Sequence, residues 1–176
     1  ARGGAVGGTS AGAMIQSDFV FNACSDTVTS ETALESPYED ITLNQDFFYW
    51  DNLQDTIIDT HFYERDRMGR LMTFVARLLR DGRASDALGI GVDENTSLIV
   101  DQNGLAEVVG VRDGFVYFVS GDHLPEKCEP QTPLTFSRFK IWKRGNGETF
   151  DLRNRALNDD YYEVSVENGK IDSNPY

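Results

Sequence analysis

The pattern of hydrophobic and polar positions begins with a predicted strand, a tight turn and a helix. Apolar Ala5-Val6 leads into Gly7-Gly8, which predicts a strand that ends in a glycine-rich turn. The small residues after Ser10 then predict a helix that reaches roughly Cys24. Residues 25–46 are rich in Ser, Thr, Glu, Asp and Pro and predict a long loop. Loops of that length in a compact domain are often functional.

The clearest periodicity in the chain is helical. Apolar residues recur at i, i+3, i+4 and i+7 from Met68 to Leu79, and Gly82 supplies a C-terminal stop. The β-branched run 56–59 and the run 88–92 predict a strand on either side of this helix. Strand, helix and strand in this order indicate an α/β arrangement.

Beyond residue 96 the pattern changes to strands alone. Two strands around the turn 101–104 predict a hairpin, and further strands are predicted at 115–119, 135–142 and 149–152. The last twenty residues are polar and predict a tail or the start of a further segment. The whole pattern therefore predicts an α/β fold with antiparallel hairpins toward the C-terminus.

Composition and charge narrow the class of protein. A chain of 176 residues is long enough for one domain with a substantial core. Its 29 acidic against 16 basic residues give a net charge of −13, which argues against a nucleic-acid partner. No apolar run approaches the roughly 20 residues of a membrane helix. Because the chain begins Ala-Arg-Gly-Gly without Met, we expect an N-terminal piece to be missing.

The two cysteines of the chain leave their pairing and the protein's compartment open. Cys24 and Cys128 have neither C-x-x-C spacing nor the density of a disulfide framework, so they do not say whether they pair. They also leave open whether the protein is cytoplasmic or secreted.

The segment Gly8-Thr9-Ser10-Ala11-Gly12 fits the nucleophile-elbow motif G-x-S-x-G. A serine on a sharp strand-to-helix turn exposes its hydroxyl, and the small neighbours avoid collisions with the backbone. The Ala11 amide would then be the natural donor to an oxyanion. The alternative is a glycine-rich loop that only turns the chain.

A serine nucleophile needs a base, and the chain has two histidines, His61 and His123. His61 follows the predicted strand 56–59, and a strand end is where α/β proteins place catalytic groups. Asp93-Glu94 follows the predicted strand 88–92, and a carboxylate there can orient an imidazolium.

Three arginines follow His61 closely in the sequence. Arg65, Arg67 and Arg70 lie at the start of the predicted helix, where cations oppose the helix dipole. They predict either a wall that binds carboxylates or a solvated charged face.

Three motifs together resemble those of the cyanophycinases, the peptidase S51 family. Gly7 to Ala13, then Asp59-x-His61-Phe62 with the three arginines, and then Gly89 to Thr96 occur in that family's order. The resemblance covers roughly residues 3–155, so it implies a partial catalytic domain over 1–155 and leaves 156–176 as a polar segment. It also implies a three-layer α/β sandwich with a mostly parallel, flavodoxin-like sheet, as in class I glutamine amidotransferases, whose first strands precede this chain.

The family's activity is serine-type hydrolysis of cyanophycin, a polyaspartate with arginine on each β-carboxyl, to β-Asp-Arg dipeptides. The resemblance implies Ser10 as nucleophile, His61 as general base and Glu94 as its partner. It implies no metal or other cofactor, and family members tend to form homodimers. The residues that would line the pocket for a β-linked aspartyl unit are Asp59, Thr60, Arg65, Arg67 and Arg70. Thr60 departs from the family's Gln, which leaves the substrate open among cyanophycin and other β-aspartyl peptides.

Two alternatives to this function stay open from the sequence. The order Ser10, Asp93, His123 is that of an α/β-hydrolase esterase. An inactive homologue that binds acidic peptides is the other alternative.

Overall fold

Strands dominate the computed structural model, which describes residues 3–45, 47–111, 113–155 and 158–176. Its helices are α1 (Ala11–Met14), α2 (Ser30–Glu35) and α3 (Met68–Arg80), and a 3-10 turn spans Asp51–Leu53. The strands are β1 (Phe19–Phe21), β2 (Leu43–Gln45), β3 (Thr56–Thr60), β4 (Leu88–Val92), β5 (Thr96–Val100), β6 (Leu105–Gly110), β7 (Val116–Ser120), β8 (Lys127–Glu129), β9 (Thr132–Arg144), β10 (Thr149–Asp151), β11 (Tyr162–Glu167) and β12 (Lys170–Ile171).

Nine of the described strands form one mixed sheet. Its order is β12-β11-β9-β7-β4-β3-β1-β2, and β8 pairs with β9 beside this path. Strand β3 lies parallel to both β1 and β4, whereas the other pairs of the sheet are antiparallel. The α/β class is confirmed, but the prediction of a mostly parallel sheet is wrong for the described strands. After β4 the chain runs through further strands without crossover helices, and parallel pairing requires such crossovers.

The predicted central helix is confirmed as α3. Its apolar residues pack into the core, and Met68, Leu71, Met72, Val75 and Leu78 are fully buried. Gly82 ends the helix in a left-handed conformation with φ 65°, a geometry that glycine adopts without a Cβ penalty. The helix lies against the strands that carry the predicted site, because it contacts β3, β4 and β7.

Both faces of the central strands are covered. On one face α2 and α3 enclose a core that includes Phe62, Phe74 and Phe136. On the other face lies a second sheet of order β10-β6-β5, and the rings of Phe118 and Phe150 stack between the sheets with centroids 3.9 Å apart. Strands buried on both faces are continuously apolar, as β4 is. The fold thereby fixes the ends of β3 and β4, where the candidate site residues follow.

Four sequence predictions differ from this architecture. The strand predicted at Ala5-Val6 is absent, since residues 3–8 form neither helix nor strand. The helix expected to reach Cys24 ends at Met14, because the chain turns into β1, whose residues are all buried. The loop predicted over 25–46 contains α2 and β2, and α2 begins at a capping box formed by Thr29 and Thr32. Part of the predicted polar tail forms β11 and β12 of the main sheet.

The C-terminal segment contains a short alternation of buried and exposed residues in β11. Val164 and Val166 are buried, while the residues between and around them are at least partly exposed. A mostly polar composition hides such a pattern, although alternation of this kind is typical of a half-buried strand. None of the helices in the described part of the chain has the length and apolarity needed to cross a bilayer.

The two cysteines are free thiols in very different surroundings. Cys24 is exposed, whereas Cys128 is buried, and burial raises the pKa of the Cys128 thiol to about 12. A thiol reacts as its thiolate, and at pH 8 the raised pKa keeps Cys128 protonated while burial shields it.

We predict that Ellman's reagent titrates one thiol in the native protein at pH 8, Cys24, and two in denaturant. Two fast-reacting thiols in the native protein would contradict this burial.

Candidate active site

Ser10 occupies a strained turn immediately before α1. Its backbone has φ 52° and ψ −124°, a conformation that non-glycine residues rarely adopt. Gly8 makes the turn possible, because a Cβ at that position would overlap the carbonyl group of Gly12. The Ser10 carbonyl accepts hydrogen bonds from Ala13 N at 2.9 Å and Met14 N at 3.1 Å, which fix the turn to the helix. A serine with a strained backbone directly before a helix is one part of nucleophile-elbow geometry, whereas no strand precedes it among residues 3–8.

His61 and Glu94 complete a chain of hydrogen bonds that starts at Ser10. The distance from Ser10 Oγ to His61 Nε2 is 2.9 Å, and from His61 Nδ1 to Glu94 Oε1 it is 2.7 Å. His61 also has a left-handed backbone, with φ 50°, directly after β3. A hydroxyl, an imidazole and a carboxylate in this order can transfer a proton from the hydroxyl and stabilise the imidazolium that forms. The structure therefore brings together the three residues predicted as a catalytic set.

The turn that carries His61 is attached to the end of β4 by backbone and side-chain contacts. Phe62 N donates to Val92 O at 3.2 Å, and the Phe62 ring is fully buried against Gly91. A Cβ at Gly91 would lie 2.6 Å from that ring, so only glycine leaves room for it. Glu94 N donates to Glu64 Oε1 at 3.0 Å, which fixes the Glu94 backbone from the same turn.

Asp93 is a structural carboxylate in this arrangement. Its two oxygens accept from Tyr63 N and Phe115 N, both at 2.9 Å. Burial raises the pKa of the Asp93 carboxyl, and these two backbone donors oppose the rise because they stabilise the charged form. The side chain thus connects the turn after β3 to the start of β7. Sequence analysis identified Asp93 only as an alternative member of a triad.

The esterase arrangement of Ser10, Asp93 and His123 is not assembled. Asp93 is occupied by backbone donors, and His123 lies on a separate loop with its ring edge-on to Phe136. The His123 nitrogens contact Asp122 Oδ1 at 2.8 Å and Ser137 Oγ at 3.3 Å. Among the residues that the structure describes, Ser10 has His61 as its imidazole partner.

The predicted pocket residues Asp59 and Arg70 lie in the interior. Arg70 Nε and Nη2 each donate to an Asp59 oxygen at 2.6 Å, and the Asp59 side chain has no exposed surface. Arg70 Nη1 also donates to Val28 O at 3.2 Å. The buried pair joins α3 and the segment before α2 to β3. The expected contact of these two residues with a substrate stays a prediction.

The other predicted pocket residues differ in exposure. Arg67 is partly buried and donates to Thr60 O at 2.6 Å and Asp59 Oδ1 at 3.2 Å. Burial lowers the pKa of the Arg67 guanidinium, and Asp59 opposes that shift. Arg65 is exposed. Thr60 is 5% exposed, and its Oγ1 has no hydrogen-bond partner in the described part of the chain.

A cavity that was not predicted from the sequence lies beside these residues. It measures about 680 Å³ and includes Tyr63 and Glu64 of the His61 turn, Asp93 of the Glu94 turn, and Tyr176 near the C-terminus. Tyr176 Oη accepts from Met68 N at 3.1 Å and donates to Asp66 Oδ1 at 2.9 Å. No local signal marks Tyr176, since it comes to the site only through strands β11 and β12.

The expected oxyanion donor is the Ala11 amide. As the first residue of α1, Ala11 has an N–H group without an intrahelical acceptor. Because α1 spans only four residues, the amide itself rather than a long helix dipole would supply the interaction. Within the described residues, no group of three or more His, Cys, Asp or Glu side chains is arranged so that it could hold a metal ion.

Comparisons with known proteins give one consistent relationship. The cyanophycinases of Trichormus variabilis and of Nostoc sp. are each 33% identical over 109 residues, which are 60% of this chain and 34% of the relative. The cyanophycinase of Geminocystis herdmanii is 26% identical over 152 residues, 84% of this chain and 50% of that protein. The chain thus spans between a third and a half of the length of these curated relatives. No protein-family model matches it.

The two glycines before Thr9 provide a matched test of the turn. A Cβ at Gly8 meets the Gly12 backbone, whereas a Cβ at Gly7 meets nothing within 4 Å. We predict that Gly8→Ala lowers the free energy of unfolding by about 1–3 kcal/mol, the usual cost of overpacking. Gly7→Ala should be neutral within about 0.5 kcal/mol. Urea denaturation measures both, and equal effects would contradict the described turn.

The buried pair gives a second matched test. Arg70→Met leaves the Asp59 carboxylate in the interior with only Arg67 beside it. Removing one partner of a buried ion pair costs about 3–5 kcal/mol, so we expect a loss of that size in the free energy of unfolding. The control is Arg65→Met, which changes an exposed arginine in the turn before α3 and should cost less than about 0.5 kcal/mol. A loss in the control as large as in Arg70→Met would refute the structural role.

Proposed function

Because the chain is related in sequence to the cyanophycinases, we propose that it carries the catalytic part of a serine-type peptidase. Its substrate would be cyanophycin or a related β-aspartyl peptide, cleaved as by an exopeptidase. The observation that carries this proposal is the hydrogen-bonded chain from Ser10 through His61 to Glu94. The relationship supports the substrate class, and the geometry supports the reaction class.

In the proposed reaction His61 Nε2 accepts the proton of Ser10 Oγ while that oxygen attacks the scissile carbonyl carbon. Glu94 holds His61 Nδ1–H and stabilises the imidazolium. His61 then donates its proton to the leaving amine, and the C–N bond breaks to give an acyl-enzyme. A water molecule releases the acyl group by the same proton transfers in reverse. The product is a free carboxylate, and Ser10 regains its proton.

The Ala11 amide would stabilise the tetrahedral intermediate. A donor of this kind contributes about 3–4 kcal/mol to catalysis, because it is already oriented where negative charge develops. The resemblance supports a second donor upstream of Gly3, on strands that would complete a three-layer α/β sandwich. It supports a homodimer as the assembled form as well.

Recognition of the aspartyl unit would depend on the residues near Thr60. Thr60 Oγ1 is a buried polar atom at the end of β3, next to His61, and it has no hydrogen-bond partner among the described residues. Arg65 is exposed on the following turn and is available for a substrate carboxylate. Asp59, Arg67 and Arg70 would act behind them, as the charged support of the β3 end.

A serine-directed fluorophosphonate tests the proposed triad in the protein and four variants. We expect Ser10→Ala to abolish labelling and His61→Ala to slow it by at least about 10³, because His61 is the base that bonds Ser10 Oγ among the residues that the structure describes. Glu94→Gln should slow labelling by about 10²–10⁴, since the imidazole loses its orienting charge. His123→Ala is the matched control and should label at the wild-type rate.

Two results would count against this function. Labelling that depends on His123 and not on His61 would favour the esterase arrangement. Absence of labelling at Ser10 would favour a homologue that binds without catalysis. Hydrolysis assays that compare cyanophycin with β- and α-aspartyl dipeptides then identify the substrate.

A further inference from the structure

The turn between β3 and α3, residues 61–67, carries His61 and contains two strained positions. His61 has φ 50° and Asp66 has φ 48°, both in the left-handed region that non-glycine residues adopt at a cost. Such a conformation persists only where surrounding contacts hold it. The first half of the turn is held by the end of β4 and by the carboxylate that follows it. The second half needs contacts of its own.

Those contacts come in part from Tyr176, which follows β12. Its Oη donates to Asp66 Oδ1 at 2.9 Å and accepts from Met68 N at 3.1 Å. Burial raises the pKa of Tyr176; the bond from Met68 N opposes this rise and the bond to Asp66 adds to it. The hydroxyl therefore keeps its one proton to donate and has a lone pair with which to accept. A single hydroxyl thus bridges the strained residue of the turn and the first residue of the helix.

The same bridge caps α3. The N-cap residue is Arg67, whose side chain makes no capping hydrogen bond, and the first turn of the helix contains no acidic residue. As the first N–H group of the helix, Met68 N has no intrahelical acceptor. Arg70 N, two positions further on, donates to Ser30 Oγ at 3.2 Å. Tyr176 therefore supplies, from a remote segment, the cap that residue 67 does not provide.

The ring of Tyr176 holds the turn by packing as well. It lies edge-on to the Tyr63 ring, with centroids 5.1 Å apart, and its centroid is 6.2 Å from that of the buried Phe62 ring. The ring is itself anchored by its own segment, because Tyr162 Oη on β11 donates to Pro175 O at 2.8 Å. Hydroxyl and ring therefore act on one turn from one fixed position.

Two backbone hydrogen bonds connect the bridged end of the turn to His61. Arg65 N donates to His61 O at 3.1 Å, and Arg67 N donates to Phe62 O at 3.0 Å. Both donors are neighbours of Asp66 in the chain, so a displacement of Asp66 reaches the start of the turn through these bonds. The imidazole makes its own hydrogen bonds at 2.9 and 2.7 Å, and a shift of its backbone would lengthen them.

We propose that Tyr176 is a positioning residue for His61. By bridging Asp66 and Met68 it fixes the turn that carries the imidazole, and so keeps His61 Nε2 within hydrogen-bond distance of Ser10 Oγ. The proposal rests on the proposed function for the step in which His61 acts as a base. The bridge and its effect on the imidazole need no catalysis.

The rate constant for fluorophosphonate labelling of Ser10 tests this role. It is measured at a temperature at which circular dichroism shows every variant to be folded. We expect Tyr176→Phe, which removes only the hydroxyl, to label about 10–10²-fold more slowly, because small misplacements of a catalytic group have effects of that size. The matched control is Tyr161→Phe, at an exposed tyrosine beside Trp142, and should label at the wild-type rate. A wild-type rate in Tyr176→Phe would show that the hydroxyl serves stability alone and would overturn the proposal.

A conservative change at the other end of the bridge separates the hydrogen bond from the charge. Asp66→Asn keeps an acceptor oxygen for Tyr176, and asparagine tolerates a left-handed backbone. We expect Asp66→Asn to label within about threefold of the wild-type rate, since the hydrogen bond is retained. A loss as large as that in Tyr176→Phe would contradict the bridge.

Proton NMR follows the position of His61 without any reaction. The Nδ1–H proton of His61, held 2.7 Å from Glu94 Oε1, should give a low-field resonance that is absent in His61→Ala and present in Tyr161→Phe. In Tyr176→Phe we expect this resonance to broaden or vanish, because a longer hydrogen bond lets the proton exchange with water. If Ser10 is never labelled but the resonance depends on Tyr176, the proposed function fails and the positioning role stands. If neither labelling nor the resonance changes in Tyr176→Phe, the positioning role fails and the triad stands.

Discussion

The candidate site depends on one buried carboxylate, that of Asp93. By accepting from Tyr63 N and Phe115 N, it joins three segments that are distant in sequence: the turn after β3, the turn after β4 and the start of β7. His61 and Glu94 are each within two residues of one of these contacts. The cost of burying the charge is offset by two backbone donors that would otherwise be unpaired. The spacing of the imidazole and its carboxylate partner follows from this connection.

The second support is the group of charges at the end of β3. Asp59 points to the helical face of the sheet and is held by Arg70 and Arg67, while Thr60 on the next position has its carbonyl bound by Arg67. The two supports bind the backbone on either side of His61, at Thr60 O and at Tyr63 N. A backbone anchored at both ends limits the loss of orientation that a loop residue otherwise suffers.

Much of the site was predictable from the sequence because its elements are local. The G-x-S-x-G turn, the run 56–59 before His61 and the run 88–92 before Glu94 are short patterns with strong physical requirements, and parallel pairing of β3 with β4 brings their ends together. The roles of the three arginines were not predictable. Spacing predicted all three at the start of the helix, but only Arg70 lies in α3, and Arg65 and Arg67 precede it. Which of them turns inward depends on Asp59 and on the segment before α2, which is remote in sequence.

The sheet was predicted less well, because its pairing also depends on residues that are far apart in the sequence. Strands β11 and β12 have polar compositions, and their burial is settled only by pairing with β9. The cavity follows from the same pairing, since β11 and β12 return the chain so that Tyr176 reaches Phe62 and Tyr117. Long-range pairing of this kind leaves little trace in a local window of sequence.

The left-handed backbones of Ser10 and His61 bear on how this protein can evolve. Each such conformation costs a non-glycine residue on the order of 1 kcal/mol or more, and glycine would avoid most of that cost. Selection for folding alone would therefore favour glycine at both positions. A lineage that no longer used the site would be expected to drift toward glycine there, gaining stability as it lost chemistry. Serine and histidine on these two turns therefore carry a cost in folding stability that glycine would largely avoid.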